Sequence, residues 1–378
     1  MSFKDLGLAP FVLRSIASLE YKEPTPVQQK AIPHILEGND VLGIAPTGSG
    51  KTAAYALPII QNLEGRTTTK NRHINVLVLV PTRELAVQVG DVFRSFTEEL
   101  PFRFKSMAVH GGVSINPQMI GMQHLNVLVA TPGRLLELKD SNAMHFDSLS
   151  TLVLDEADKM LNLGFKDEMD RIFAMLPSKR QNLLFSATLS PEVEAIERVL
   201  LNNPVLVKVE AAKVDIDLIN QIGYHVRPEN RGPLLRYLIR SKPMKQVLVF
   251  TSSKYQADLV ADKLRKNGID AAAIHSKKSQ GSRRDSLTKF TNGKLRVLVS
   301  TDLLARGIDI AFLPYVINYE LPRSPKDFIH RIGRTGRAEN PGQAITFVTE
   351  EDQHHFKIIQ KKMKQKVDMI DGTAMDLR

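Results

Sequence analysis

Cysteine is absent from all 378 residues. That absence excludes a disulfide scaffold, a thiolate zinc site, an iron–sulfur cluster and a cysteine nucleophile. It also fits a reducing compartment. No apolar run approaches the roughly 18 residues of a membrane span. The opening Met1-Ser2-Phe3-Lys4-Asp5-Leu6 lacks the apolar core of a signal peptide. No membrane partner is therefore expected, and the expected location is cytoplasmic. Short internal repeats and low-complexity tracts are missing as well. Acidic residues are the scarcer charge: 41 Asp and Glu against 51 Lys and Arg leave a net +10, which points toward a polyanionic partner.

What is present has the balance of an ordinary globular protein, 43% apolar and 24% charged, at a length suited to two domains. Short apolar runs recur: Val41 to Ala45, Val76 to Val80, Val127 to Ala130, Leu152 to Asp155 and Leu183 to Ser186. They are apolar almost throughout rather than alternating, as in a parallel sheet covered on both faces. Amphipathic stretches such as Pro26 to Leu36 and Glu84 to Phe96 lie between them. This alternation predicts βαβ units and a doubly wound sheet. The rhythm breaks near Val207 to Leu218 and restarts with Val247 to Phe250, Ala271 to Ile274, Val297 to Ser300, Val316 to Tyr319 and Ala344 to Val348. The expectation is an α/β fold of two domains, 1–207 and 219–378, joined by a linker over 208–218. The basic run Lys361-Lys362-Met363-Lys364-Gln365-Lys366 reads first as a solvated helix face, with direct RNA contact as the lesser reading.

Ala45-Pro46-Thr47-Gly48-Ser49-Gly50-Lys51-Thr52 follows a strand and opens a helix. Small residues there let backbone N–H groups wrap phosphates at the positive end of the helix. Thr47, Gly48, Ser49 and Gly50 would form that cradle. Lys51 would reach the β and γ phosphates, and the Thr52 hydroxyl would bind Mg²⁺. Asp155-Glu156-Ala157-Asp158 ends another strand, where carboxylates face the ligand crevice of such a sheet. Asp155 suits Mg²⁺, and Glu156 suits orienting and deprotonating the attacking water. An acidic turn that merely caps a helix is the competing reading; the phosphate loop weighs against it. Ser186-Ala187-Thr188 carries two hydroxyls able to bond the acidic turn, or merely to cap a helix. Gln28 has an amide that can both donate to and accept from an adenine edge; without context it is a polar residue in a first helical turn. His330-Arg331-Ile332-Gly333-Arg334-Thr335-Gly336-Arg337 packs three arginines and two glycines into eight residues. Arginine forks suit phosphate, and they could act as fingers on a phosphate loop elsewhere in the chain.

Taken together, and in this order, these motifs resemble the DEAD-box family of ATP-dependent RNA helicases, over Phe3 to about Val348. The opening residues look most like the bacterial RhlE-type branch. The resemblance implies two RecA-like domains, ATP and Mg²⁺ as cofactors, RNA-stimulated ATP hydrolysis, local duplex unwinding and remodelling of RNA–protein complexes. It assigns Phe3 to stacking on adenine and Gln28 to reading it, within Pro24-Thr25-Pro26-Val27-Gln28. It makes Lys51, Asp155, Glu156, Arg334 and Arg337 catalytic, with Thr52 and Asp155 on the metal and Asp309 near the ribose. Asp158, Ser186, Thr188 and His330 would couple ATP state to unwinding. Pro81, Thr82, Arg83, Gly112, Thr131 and Arg134 in the first domain, and Thr251, Arg283, Thr301 and Asp302 in the second, would face RNA. These residue types suit phosphate and sugar rather than base edges, so recognition should be largely sequence-independent. Two positions depart from the family pattern: Glu20 and Ser276 stand where glycine is usual. A clamp that binds without unwinding would use the same motifs. A non-catalytic scaffold is opposed by the intact Lys51, Glu156, Arg334 and Arg337. A DNA helicase is disfavoured by the Gln28 element and the Asp-Glu-Ala-Asp spelling. Ribosome assembly, mRNA decay and cold response stay open as settings, with ribosomal or RNA-decay complexes as company and a monomer as the default.

Overall fold

The computed structural model describes residues 1–65, 71–210, 219–302, 313–335 and 342–375. The chain divides into two compact units, Met1–Ala211 and Ala212–Arg378, and each is built on one seven-stranded sheet.

In the first unit the strands are β1 (Val41–Ile44), β2 (Val76–Leu79), β3 (Ser106–Val109), β4 (Val127–Ala130), β5 (Thr151–Leu154), β6 (Gln181–Ser186) and β7 (Val205–Lys208). Their order is β3-β4-β2-β5-β6-β1-β7, and every neighbouring pair is parallel. β1, β2, β4 and β5 are buried at every residue, which is why they read as unbroken apolar runs. Alternate side chains feed opposite faces. Val76 and Val78 join the cluster under helix Pro26–Leu36 and helix Lys51–Asn62, while Leu77 and Leu79 join the cluster on the other face. The apolar pattern misses β3 and β7 because both are edge strands, only partly buried.

The second unit repeats the plan. Its strands are β8 (Ile219–His225), β9 (Val247–Thr251), β10 (Ala271–Ile274), β11 (Val297–Thr301), β12 (Tyr315–Asn318), β13 (Gly342–Val348) and β14 (Asp368–Asp371). Their order is β10-β11-β9-β12-β13-β8-β14, again with every pair parallel. β8 carries Asn220, Gln221 and Gly223 and so lacks the apolar signature that marks its neighbours. Helix Gln353–Met363 buries Phe356, Ile359 and Met363 while Lys361, Lys362, Lys364 and Lys366 stay exposed, the solvated face its sequence predicts. Most of the expected linker, residues 211–218, lies outside the described residues.

Glu20 adopts a left-handed backbone with φ of 58° after helix Pro10–Ser18. Glycine reaches that conformation without the steric cost an L side chain carries. The turn is therefore kept although the small residue is not.

Candidate nucleotide site and strand-end surface

A parallel sheet carries its loops of chemistry at the C-terminal ends of its strands. β6 lies between β1 and β5, with Ile44 in register with Ser186 and Leu154 with Leu184. This register brings the loops after β1, β6 and β5 side by side. Ala45 N–H donates to the Ser186 carbonyl at 3.0 Å, tying the phosphate loop to the Ser-Ala-Thr segment.

Gly48 and Gly50 have φ of 79° and 89°, and Gly50 caps helix Lys51–Asn62. A Cβ at Gly50 would lie 2.5 Å from Gln28 Nε2, so this glycine is needed both for its backbone and for its bareness. Gln28 is buried, with Oε1 accepting from Thr25 N–H at 2.9 Å and Nε2 donating to the Gly50 carbonyl at 3.1 Å. The amide thus splices the Pro24–Gln28 segment to the phosphate loop and keeps a second donor and a second lone pair. Phe3 lies inside the core, 5% exposed, on a short 3-10 turn against helix Pro26–Leu36. Its expected stacking on adenine needs an open ring face, and the apolar packing leaves almost none.

Lys51 is buried and donates to the Ala45 and Pro46 carbonyls at 2.6 and 3.2 Å. Burial lowers its pKa, against the attraction of Asp155 and Glu156. Burial raises that of Asp155, opposed by Lys51, the Tyr55 hydrogen bond and the Glu156 backbone. Glu156 is likewise raised by burial, opposed by Lys159, whose ammonium pairs with Glu156 Oε1 at 2.6 Å. Glu156 also has φ of 54°, a left-handed conformation costing on the order of 1–2 kcal/mol for a side chain other than glycine. Such strain is retained where the surroundings over-determine it, as at a reacting site. Thr188 Oγ1 donates to Asp158 Oδ2 at 3.0 Å, as expected. Ser186 does not reach the acidic turn: its hydroxyl donates to the Thr188 carbonyl at 2.8 Å and shapes the loop instead.

The buried oxygens that lack a hydrogen-bond partner concentrate here. Ser49 Oγ, Asp155 Oδ1, Glu156 Oε2 and Asp158 Oδ1 all belong to this cluster. Buried polar atoms are normally paired, so such a concentration marks a place built to receive something else. Hard oxygen donors on Thr52 and Asp155, with further carboxylates behind them, fit Mg²⁺. Tyr55 escaped notice in the sequence, where it reads as one more apolar position of helix Lys51–Asn62. Its buried hydroxyl donates to Asp155 Oδ2 at 2.9 Å.

The loops after β2, β4 and β3 form a second, adjoining group. Arg83 lies against Gly111 and Gly112, and a Cβ at Gly112, where φ is 80°, would come within 1.8 Å of Arg83 Nη1. Pro81 is buried, and Thr82 Oγ1 caps helix Arg83–Thr97 by accepting from Leu85 N–H at 3.2 Å. Thr131 is the N-cap of helix Pro132–Asp140 and is 8% exposed. Arg134 turns inward: Nε pairs with Glu137 at 2.7 Å and Nη2 donates to the Val113 carbonyl at 3.0 Å, clamping two loops together.

In the second unit β10, β11 and β9 are neighbours, so their loops cluster in the same way. Here one sequence expectation needs correction, and two further side chains expected to face RNA bond within the protein. Thr251 is fully buried, its hydroxyl donating to the Ser253 carbonyl, so its side chain cannot face RNA. Arg283 is 5% exposed and bonds Gln280 on its own helix, Gln280–Thr291. Both oxygens of Asp302 accept from Arg331, while 29% of its side chain stays exposed. Thr301 ends β11, partly exposed. His330 is exposed on helix Pro325–Ile332, and Arg334 follows it, partly exposed. Arg337 and Asp309 lie outside the described residues.

A phosphate loop, an acidic strand end and a second sheet of the same plan define a two-unit P-loop nucleotide hydrolase. A DEAD/DEAH box helicase family model matches residues 25–196, and a helicase conserved C-terminal domain model matches residues 231–339. The ATP-dependent RNA helicase CshA of Limosilactobacillus reuteri is 39% identical over 362 residues, covering 96% of this chain and 72% of that protein. The DEAD-box ATP-dependent RNA helicase CshA of Bacillus cereus is 36% identical over 376 residues, covering 99% and 70%. A solved structure of S. cerevisiae Dbp5 bound to RNA and ADP BeF3 matches with a TM-score of 0.81 at 28% identity, covering 98% of this chain and 95% of that one. The chain belongs to the DEAD-box family of ATP-dependent RNA helicases. These relatives carry the name CshA, and the RhlE-type placement gains no support from them.

Proposed function

We propose that the chain hydrolyses ATP at the β1–β6–β5 edge of its first unit, and that RNA bound along the neighbouring strand-end loops stimulates that hydrolysis. The observation that carries the ATP site is the set of unpartnered buried oxygens on Ser49, Asp155, Glu156 and Asp158, in the field of Lys51. Thr47 to Gly50 offer backbone N–H groups to phosphate, and Lys51 exchanges its loop carbonyls for phosphate oxygens. Thr52 and Asp155 would hold Mg²⁺, which neutralises charge on the phosphates when bound. Glu156 orients water and accepts its proton; a carboxyl raised by burial is suited to that task. Arg334 and Arg337 are assigned to the charge of the transferring phosphoryl group, and Asp309 to the ribose. Gln28 reads the adenine edge with the donor and lone pair it has left.

Arg83, Gly112, Thr131 and Thr301 are the residues assigned to RNA backbone, with Thr188, Asp158 and His330 coupling ATP state to strand separation. Domain limits of 1–207 and 219–378, with 208–218 as linker, accompany this reading. The RhlE-type placement rests only on the opening residues. RNA is recognised through backbone, in cytoplasmic company of ribosomal or RNA-decay type. The test is ATP hydrolysis with and without single-stranded RNA, measured beside separation of a short RNA duplex. RNA-stimulated hydrolysis with separation is the expected result. Stimulated hydrolysis without separation would show a clamp, and hydrolysis indifferent to RNA would overturn the reading.

A further inference from the structure

Helix Lys51–Asn62 is lined with small and aliphatic side chains, Ala53, Ala54, Ala56 and Leu57 among them, all buried. Tyr55 interrupts that run with a hydroxyl. Its ring packs against Phe185 at 5.4 Å and Phe93 at 6.4 Å between centroids, and it is 0% exposed. A ring alone would fill this space. The oxygen is the part that packing does not explain, and a buried hydroxyl must find a partner. It finds Asp155 Oδ2 at 2.9 Å, a hundred residues along the chain.

Tyr55 lies three residues after Thr52 and four after Lys51, so the three side chains share one helix face. The phenol therefore ties the Asp155 carboxylate to the helix that carries Thr52, the other residue assigned to Mg²⁺. Torsion about the last bond of an aspartate side chain is soft and broad. A hydrogen bond on Oδ2 fixes the carboxylate plane, and it leaves Oδ1, which is buried without a partner, as the oxygen on offer.

We propose that Tyr55 is a positioning residue for the metal: its hydroxyl holds the Asp155 carboxylate, against the helix that carries Thr52, in the orientation that Mg²⁺ requires. The inference rests on the assignment of Asp155 to the metal. Groups behind a metal ligand fix its orientation, and losing one costs about 10–100-fold in metal affinity.

The test uses the full chain and titrates Mg²⁺ into fluorescently labelled ADP, with EDTA defining metal-free binding. Tyr55→Phe keeps the ring between Phe93 and Phe185. It should raise the Mg²⁺ concentration at half-maximal effect by about 10-fold, leave ADP affinity in EDTA unchanged, and barely move the thermal midpoint. Asp155→Asn should raise the Mg²⁺ midpoint too, and the double variant should be no worse than Asp155→Asn alone, because Tyr55 acts through that carboxylate. An unmoved Mg²⁺ midpoint in Tyr55→Phe beside a shifted one in Asp155→Asn overturns the inference and spares the metal site. A Tyr55→Phe variant that lowers only the thermal midpoint overturns it equally. An unmoved midpoint in Asp155→Asn overturns the assignment of Asp155 itself, and the inference with it.

Discussion

Arg331 grips Asp302 with two nitrogens, Nε to Oδ1 at 2.5 Å and Nη2 to Oδ2 at 2.8 Å. The same guanidinium donates from Nη1 to Asn318 Oδ1 and to the Glu320 carbonyl, and it lies 4.9 Å from the centre of the Phe250 ring. One side chain thereby ties the end of β11 to β12, β9 and helix Pro325–Ile332. Arg331 is a cross-brace of the second unit, and the arginine motif contains a structural member beside those assigned to phosphate.

Replacing Arg331 by Met should therefore destabilise the second unit by about 3 kcal/mol, the low end for a broken buried pair because Asp302 keeps 29% of its side chain exposed. Arg331→Lys should restore little, since an ammonium cannot reproduce the planar fork. Denaturant unfolding of the full chain checks this. An RNA-facing Asp302 would instead lower RNA affinity in Asp302→Asn with stability intact.

Turnover should depend on Glu156. Glu156→Gln keeps the shape and removes the base, so hydrolysis should fall about 10²–10⁴-fold while nucleotide affinity holds. Single-turnover hydrolysis beside equilibrium ADP binding measures both. Wild-type turnover in this variant would exclude Glu156 as the base.

The Thr188–Asp158 bond links the loop after β6 to the acidic turn after β5. Thr188→Val removes a hydrogen bond to a carboxylate, worth about 1.5 kcal/mol or somewhat more. Duplex separation should slow about tenfold while RNA-stimulated hydrolysis changes little. Equal losses in both assays would place Thr188 in hydrolysis rather than in coupling.

Arg337→Ala should lower the plateau of ATPase rate against RNA concentration, by about 10³-fold if it serves as an arginine finger. Arg337→Lys should stay low for the same geometric reason as at Arg331. An unchanged plateau reached at higher RNA concentration would make Arg337 an RNA-binding residue instead.

Much of this protein is legible in the sequence because its central strands are covered on both faces. Val76 to Leu79 and Thr151 to Leu154 need apolar residues on both sides, so their positions show as runs. Edge strands β3 and β14 carry no such demand and leave no such mark. The phosphate loop was legible for a related reason: tight backbone approach restricts Gly48 and Gly50 to glycine wherever they occur. Contacts made by ordinary polar residues were not. Arg134, Thr251, Arg283 and Asp302 carry the residue types of RNA contacts, yet each makes a hydrogen bond inside the protein. Residue type records what a side chain can bond, and only its neighbours settle what it does bond.

The sequence by itself determined the α/β class, the phosphate loop, the acidic strand end and the family, because each is written in local spacing along the chain. Only the tertiary structure decided which motifs share an edge. The strand order β3-β4-β2-β5-β6-β1-β7 gathers the loops after β1, β6 and β5 at one end and those after β2, β4 and β3 beside them. It also decided that Tyr55, apolar by its surroundings in sequence, donates to Asp155. Pairing of distant strands brings these residues together, and no local pattern encodes a hydrogen bond across a hundred positions of chain.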